Sequence, residues 1–128
     1  MPIAHVTFGT RDLERGARFY DAIMGVFGGS RSFERETAIG WAFPEGGTSL
    51  GITFPYDGNP ANVGNGTMFA LMAGDEDQVR RVHAAALANG GSCEGPPGPR
   101  ANGFYAAYFR DPDGNKMNAF CVPTAGAQ

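Results

Sequence analysis

The chain has 128 residues, a formal net charge of −3, 20 glycines and two cysteines. This length fits one domain with a single hydrophobic core. An acidic chain without a basic cluster argues against nucleic acid and membrane surfaces as partners, and no apolar run approaches the length of a membrane span. Because the N-terminus also lacks the pattern of a secretion signal, we predict a cytoplasmic protein.

The first predicted elements are a strand and a helix. Residues Ile3–Phe8 alternate in the manner of a strand, which puts His5 on the face opposite to the larger apolar side chains. Apolar residues at helical spacing follow. Asp12 or Thr10 can cap this helix, and Gly25 can end it.

Three short strands are predicted next, and they complete the first half of the chain. Their predicted ranges are Ser30–Ile39, Gly40–Pro44 and Thr48–Phe54. The tight turn Glu45-Gly46-Gly47 joins the last two. Tyr56–Gly66 is rich in Gly, Asn and Pro without apolar periodicity, so we interpret it as a connector.

The second half of the chain opens in the same way as the first. The alternation of side chains in Met68–Ala73 predicts a strand. An acidic helix start follows, in which Gln78 is placed to complete a capping box with Asp75. The pair Gly90-Gly91 ends this helix.

The last predicted elements are strands around a proline-rich segment and a hairpin. Ser92–Glu94 begins a strand that runs into a stiff loop, Pro96–Pro99. Two strong strands follow, Phe104–Arg110 and Lys116–Val122. The turn Asp111-Pro112-Asp113-Gly114-Asn115 joins them as a hairpin, because proline and glycine favour those turn positions.

The chain therefore consists of two unequal copies of one unit. Module 1 covers about residues 1–55, a linker about 56–66 and module 2 about 67–123, while residues 124–128 form a frayed tail. Each unit contains a strand, a helix and further strands. Two such units can pair with a cleft between them, and we expect functional residues to line that cleft.

The cysteines offer no metal site by their spacing. Cys93 and Cys121 are far apart in the sequence, and Cys121 is predicted to be a small core residue. The alternative of a disulfide between them fits less well with a cytoplasmic location.

Several segments together resemble one known family. They are Ala4–Phe8, Arg18–Asp21 with Gly25, Val63–Thr67, Ala84–Gly91 and Tyr105–Cys121 around the Asp-Pro-Asp-Gly-Asn hairpin. In this order they resemble the vicinal oxygen chelate superfamily, also called the glyoxalase/bleomycin-resistance/extradiol-dioxygenase superfamily. The resemblance implies an α+β fold of two βαβββ modules, with a curled mixed sheet around a shared cavity. Members often dimerise, so it also implies a homodimer.

The resemblance further implies where a divalent metal would bind in this family. His5 matches the histidine on the first strand, whereas Met68 stands where a second histidine is expected and Asn118 where a carboxylate is expected. The remaining position falls near Leu50 or Gly51. A catalytic divalent ion needs about three protein ligands, and a thioether or a neutral amide is a poor substitute for imidazole or carboxylate. We predict no metal and no other cofactor.

We predict that a small-molecule ligand contacts a set of cavity residues. The set is His5, Trp41, Met68, Arg100, Tyr105 and Asn118. Some members have a purely structural alternative: core packing for Trp41 and Met68, a solvated charge for Arg100, and a hydrogen-bonded imidazole for His5. Tyr105 and Tyr108 lie on opposite faces of their strand, so at most one of them can face the cavity.

Three functions are consistent with the sequence. The first is a metal-free protein that binds an apolar or aromatic compound. The second is an active lyase, isomerase or dioxygenase of the family, with His5 as general base or with ligands at other positions. The third is a non-catalytic dimeric interaction module whose cleft is filled by side chains. A cavity would exclude the third, and product formation would separate the second from the first.

Overall fold

Residues 2–123, which this computed structural model describes, form two βαβββ modules. The first module consists of β1 (His5–Gly9), α1 (Leu13–Val26), β2 (Ser30–Glu34), β3 (Ala38–Ala42) and β4 (Ser49–Thr53). The second consists of β5 (Met68–Met72), α2 (Glu76–Ala88), β6 (Ser92–Pro99), β7 (Tyr105–Arg110) and β8 (Lys116–Cys121). The predicted α+β class is confirmed, while the tail predicted at residues 124–128 lies outside the described residues.

Each module builds its own four-stranded mixed sheet. The strand orders are β1-β4-β3-β2 and β5-β8-β7-β6, so the two sheets repeat one topology. In each sheet the first strand runs parallel to the last one of its module, and the other pairs are antiparallel. In the described residues the two sheets are hydrogen-bonded separately and are not closed into one another.

Both sheets pack one face onto a shared core. Helices α1 and α2 contact each other, and each packs on the strands of its own module. Phe19 of α1 reaches Phe109 of β7, with ring centroids 6.3 Å apart, and Phe8 of β1 stacks on Phe69 of β5 at 4.7 Å. The helix-side faces of the two sheets are therefore buried together, and the outer faces are turned away from the core.

The predicted helix caps form, with two differences in detail. Asp75 accepts a hydrogen bond from the Gln78 backbone at 2.8 Å, but the Gln78 side chain accepts from Gly74 instead of from Asp75. The same side chain donates to the Val26 carbonyl at the end of α1. Helix α1 does not end at Gly25 but one residue later, and the chain then turns at Gly28, whose φ of 78° suits glycine.

The boundary between β2 and β3 differs from the predicted one. We placed a break between Ile39 and Gly40, whereas the chain turns at residues 35–37 and Gly40 lies in the middle of β3. Gly40 pairs with Phe33, and a Cβ on Gly40 would overlap the Phe33 ring. Glycine therefore serves here to admit an aromatic ring and does not break the strand.

The proline-rich segment Pro96–Pro99 belongs to strand β6, where we expected a loop. Strand β6 is at the edge of its sheet and pairs only with β7, with irregular register around Gly95. An edge strand tolerates proline because backbone N–H groups on its free side need no partner in the sheet.

The predicted Asp111–Asn115 hairpin forms and connects the two modules. Asp111 Oδ2 accepts a 2.7 Å hydrogen bond from the Tyr20 hydroxyl of α1. Asp113 accepts from the Thr10 hydroxyl at 2.6 Å and from the Arg15 guanidinium at 2.7 Å. The turn of module 2 is thus held against the start of α1 in module 1.

Two other sequence interpretations can be compared with the fold. Within residues 2–123 both cysteines are free, with Cys121 buried as predicted and Cys93 exposed, so the disulfide alternative is not formed. Neither α1 nor α2 has the length and apolar character that a membrane crossing requires.

Candidate ligand-binding site

The outer face of the first sheet carries His5, and we call it the His5 face. It consists of the outward side chains of His5 and Thr7 on β1 and of Ser49 on β4, together with the backbone at Gly51 on β4 and Gly40 on β3. Neighbouring positions such as Val6 and Leu50 point into the core instead. His5 itself is exposed, so its imidazole is accessible from this side.

A groove of about 440 Å³ runs along the His5 face. Gly51 lines the groove without a side chain, and the Phe33 ring, which lies over Gly40, lines it at one end. The Arg35 guanidinium lies 4.8 Å from the centroid of the Phe33 ring. A groove of this volume is large enough for a small organic molecule.

The outer face of the second sheet carries Asn118, and we call it the Asn118 face. Strand register arranges its residues in three rows across β5, β8 and β7: Met68–Lys116–Arg110, Ala70–Asn118–Tyr108 and Met72–Phe120–Ala106. Asn118 occupies the centre of this array and is only 6% exposed. Its amide oxygen has no hydrogen-bond partner among the described residues.

A second groove adjoins the Met68 edge of the Asn118 face. It has a volume of about 420 Å³ and is lined by residues 63–67 of the connector together with Met68, Arg110 and Lys116. The structure therefore puts His5 and Met68 in different grooves, where we expected one cavity.

Of the six predicted ligand contacts, His5, Met68 and Asn118 lie on outer faces. Trp41 does not, because it is fully buried on the core side, where its indole N–H donates to Asp21 at 2.8 Å. Its ring lies 5.4 Å from that of Tyr20, so core packing, the structural alternative, describes its position.

Tyr105 and Arg100 also differ from the expected placement. The Tyr105 hydroxyl accepts a hydrogen bond from Arg80 of α2, so this ring lies on the helix side and Tyr108 takes the outer face. The Arg100 guanidinium donates to the carbonyls of Pro96 and Gly98 and lies 5.5 Å from the Tyr108 ring. These donors therefore hold the backbone of residues 96–98 and are not directed toward an anionic ligand.

Sequence reasoning missed several residues that shape the two faces. Phe33 and Gly51 line the His5 groove, and Tyr108 flanks Asn118. The alternation in β7 already showed that only one of Tyr105 and Tyr108 could face outward. The pairing of Phe33 with Gly40 had no signal in the sequence, because it depends on the register of β2 against β3.

Comparison with known proteins decides the family. The model of the Glyoxalase/Bleomycin resistance protein/Dioxygenase superfamily matches residues 2–118. The chain belongs to this superfamily. No curated protein matches the chain.

Solved structures of the superfamily share the fold over almost the whole chain. A glyoxalase/bleomycin resistance protein from Albidiferax ferrireducens is 40% identical, with a TM-score of 0.87, and the match covers 96% of this chain and 100% of that one. A glyoxalase-related enzyme from Fulvimarina pelagi is 25% identical, with a TM-score of 0.79 and coverage of 96% and 89%. A lactoylglutathione lyase from Agrobacterium tumefaciens, 20% identical with a TM-score of 0.68 and coverage of 93% and 92%, shows the fold alone.

The residues at the metal positions of this superfamily do not fit a divalent ion. His5 is paired with Ser49, and the neighbouring outward position on β4 is Gly51. On the other face, Met68 and Asn118 offer a thioether and a neutral amide. Among residues 2–123, no three His, Cys, Asp or Glu side chains are grouped so that they could hold a metal. This donor set has one imidazole and no carboxylate, too few ligands for Zn²⁺ or Fe²⁺.

Proposed function

We propose that this superfamily member binds a small organic molecule on its outer sheet faces without a metal ion. The observation that carries the proposal is the combination of open grooves with a donor set unsuited to a cation. The His5 groove has about 440 Å³, while Met68 and Asn118 replace the two further metal ligands. The protein has a groove that can hold an organic molecule, but it lacks the charged side chains that would bind a cation.

The lining of the His5 groove favours a flat, largely apolar ligand. Gly51 has no side chain on this face, so a planar group can approach the backbone there, and Phe33 offers an aromatic surface at one end. His5, Thr7 and Ser49 supply polar groups along the other side. An apolar pocket with a few polar groups is the usual composition of a small-molecule site.

We further propose that the protein forms a homodimer along β5, the edge strand of the second sheet, which carries Met68 and Met72 beside Asn118. Met72 is 70% exposed there and Met68 is 44% exposed. Large apolar side chains exposed together on one face mark interaction surfaces, and methionine adapts to different partners. Size-exclusion chromatography with light scattering should give twice the mass of the chain. Met72→Glu should shift the protein toward monomer, whereas Leu87→Glu, at an exposed position on α2, should not.

The metal-free proposal is tested by restoring the missing ligands. The double variant Met68→His/Asn118→Glu supplies an imidazole and a carboxylate at the two neutral positions. We expect this variant to bind Zn²⁺ or Mn²⁺ more tightly than the wild type in titration calorimetry, because two donor side chains then lie on the same sheet face. A wild type that already binds as tightly as the double variant would overturn the proposal.

Measuring product formation distinguishes the catalytic alternative from a protein that only binds its ligand. Incubation with the hemithioacetal of glutathione and methylglyoxal, or with a catechol, should give no product if the protein only binds. Product that disappears in His5→Ala would favour an enzyme in which His5 acts as general base.

A further inference from the structure

The side-chain oxygen of Asn118 is a buried polar atom of the second sheet that has no hydrogen-bond partner in the described part of the chain. Its oxygen makes no hydrogen bond within residues 2–123, although the residue is only 6% exposed. A buried amide oxygen without a donor is rare in native proteins, because its lost hydration is not replaced. The Asn118 oxygen therefore needs a hydrogen-bond donor that does not belong to the single chain.

The sheet itself cannot supply that partner. Strand β8 is flanked by β5 and β7 on both sides, so the neighbouring backbone N–H groups are used in the strand ladders. The residues beside Asn118 on its face are Ala70, which has no polar group, and Tyr108, whose hydroxyl is at the far end of its ring. Met117 and Ala119 face the core. A donor can approach only from above the outer face.

The surroundings of Asn118 determine what kind of donor fits. Met68, Met72 and Phe120 make the floor around it apolar. Lys116 Nζ lies 5.6 Å from the centroid of the Tyr108 ring, and the Arg100 guanidinium lies 5.5 Å from it. These two positive charges disfavour a cationic ligand, and a carbonyl-type acceptor disfavours an anion. The ligand group that fits this position is therefore a neutral N–H or O–H donor.

We infer that Asn118 is a specificity-determining residue, which accepts a hydrogen bond from a neutral ligand with an N–H or O–H group on an apolar or aromatic body. The inference rests on the proposed function, because it requires that a small molecule binds without a metal. It adds the chemical class of the ligand and the atom that recognises it. Met68 and Met72, on the neighbouring strand, can move aside to admit the donor, since their side chains are flexible.

Indole and 1-methylindole form a matched pair of probes, because they differ only in replacing the ring N–H with N–CH₃. Ligand-observed NMR titration of the full-length chain should show that the wild type prefers indole by roughly tenfold, the value expected for one hydrogen bond to an otherwise unpaired buried group. Asn118→Leu keeps the approximate shape and removes the amide, so it should bind both probes with similar affinity. Glu14→Gln, at an exposed position in the first turn of α1, is the control and should keep the wild-type preference.

Thermal unfolding supplies a second readout that needs no ligand. If the Asn118 amide has no partner in the free protein, Asn118→Leu should unfold at a higher temperature than the wild type. Asn118→Asp retains an acceptor, so a folded Asn118→Asp variant should keep the preference for indole.

Three results would overturn the inference. The first is equal binding, or no binding, of the two probes by the wild type. The second is an indole preference that survives in Asn118→Leu. The third is a lower unfolding temperature for Asn118→Leu than for the wild type, which would show that the amide already has a partner in the free protein. A stoichiometric metal ion in the wild type would instead contradict the proposed function and leave the indole comparison intact.

Discussion

The Tyr20 hydroxyl of module 1 donates a 2.7 Å hydrogen bond to the Asp111 carboxylate of module 2. Tyr20 is fully buried and Asp111 is 4% exposed. Asp111 accepts its other hydrogen bonds within its own hairpin, from the backbone N–H groups of Asp113 and Asn115 and from the Asn115 side chain. One carboxylate therefore shapes the hairpin and joins it to the other half of the chain.

We expect Tyr20→Phe to lower the free energy of unfolding by about 1–3 kcal/mol, because it removes a donor to a buried charged acceptor. Urea denaturation followed by circular dichroism measures this difference. Tyr56→Phe is the matched control, since Tyr56 is fully exposed and its substitution should have little effect. A Tyr20→Phe variant as stable as the control would show that the bond does not contribute.

The same residue should make the protein sensitive to alkaline pH. Burial raises the pKa of Tyr20 well above its ordinary value of 10.0, and the nearby Asp111 charge raises it further. The unfolded state therefore loses this proton before the folded state does. The resulting stability is fully present below pH 10 and is lost as the pH rises from 10 through the folded-state pKa. We expect the stability difference between wild type and Tyr20→Phe to shrink above pH 10, and a constant difference would contradict this assignment.

The second carboxylate of the hairpin should matter about as much as the first. Asp113 is 4% exposed at its side chain and is bonded by Thr10 and Arg15 of module 1. Asp113→Asn should cost about 2 kcal/mol, because it weakens several charge-assisted bonds at once. The control Asp77→Asn breaks an exposed helix pair with Arg81 and should cost less than about 1 kcal/mol. Equal losses in the two variants would refute the special role of Asp113.

Gly91 should tolerate no larger residue. A Cβ there would lie 2.6 Å from the Arg110 carbonyl oxygen and 2.7 Å from the Phe19 ring. Because backbone cannot move aside cheaply, Gly91→Ala should cost about 1–3 kcal/mol. Gly25 is the control: it lies in α1 with open space around it, so Gly25→Ala should raise stability by up to about 1 kcal/mol. Chemical denaturation of both variants checks the opposite signs.

Local patterns were sufficient to predict the order of the elements. Alternation put His5 on an outer face, acidic residues capped both helices, and proline with glycine marked the Asp111–Asn115 turn. These features depend on neighbours in the sequence, so they can be seen without the fold.

Features that depend on register or on distant partners could not be predicted in the same way. The interpretation of Gly40 as a break failed because its role is set by Phe33 on another strand. We expected Tyr105 to face the ligand, whereas Tyr108 does. Which face of β7 turns outward depends on the pairing of the strands, and a shift of one position in that pairing exchanges the two faces. Nothing in the sequence pairs Tyr20 with Asp111, which are 91 residues apart.

The central claim is that the residues on the outer faces do not hold a divalent ion, although open grooves are present there. Its most direct test is elemental analysis of wild-type protein purified without a metal-binding tag and equilibrated with Zn²⁺, Mn²⁺ and Fe²⁺ before desalting. We expect each metal to be far below one ion per chain. A stoichiometric ion that is lost in His5→Ala would contradict the account.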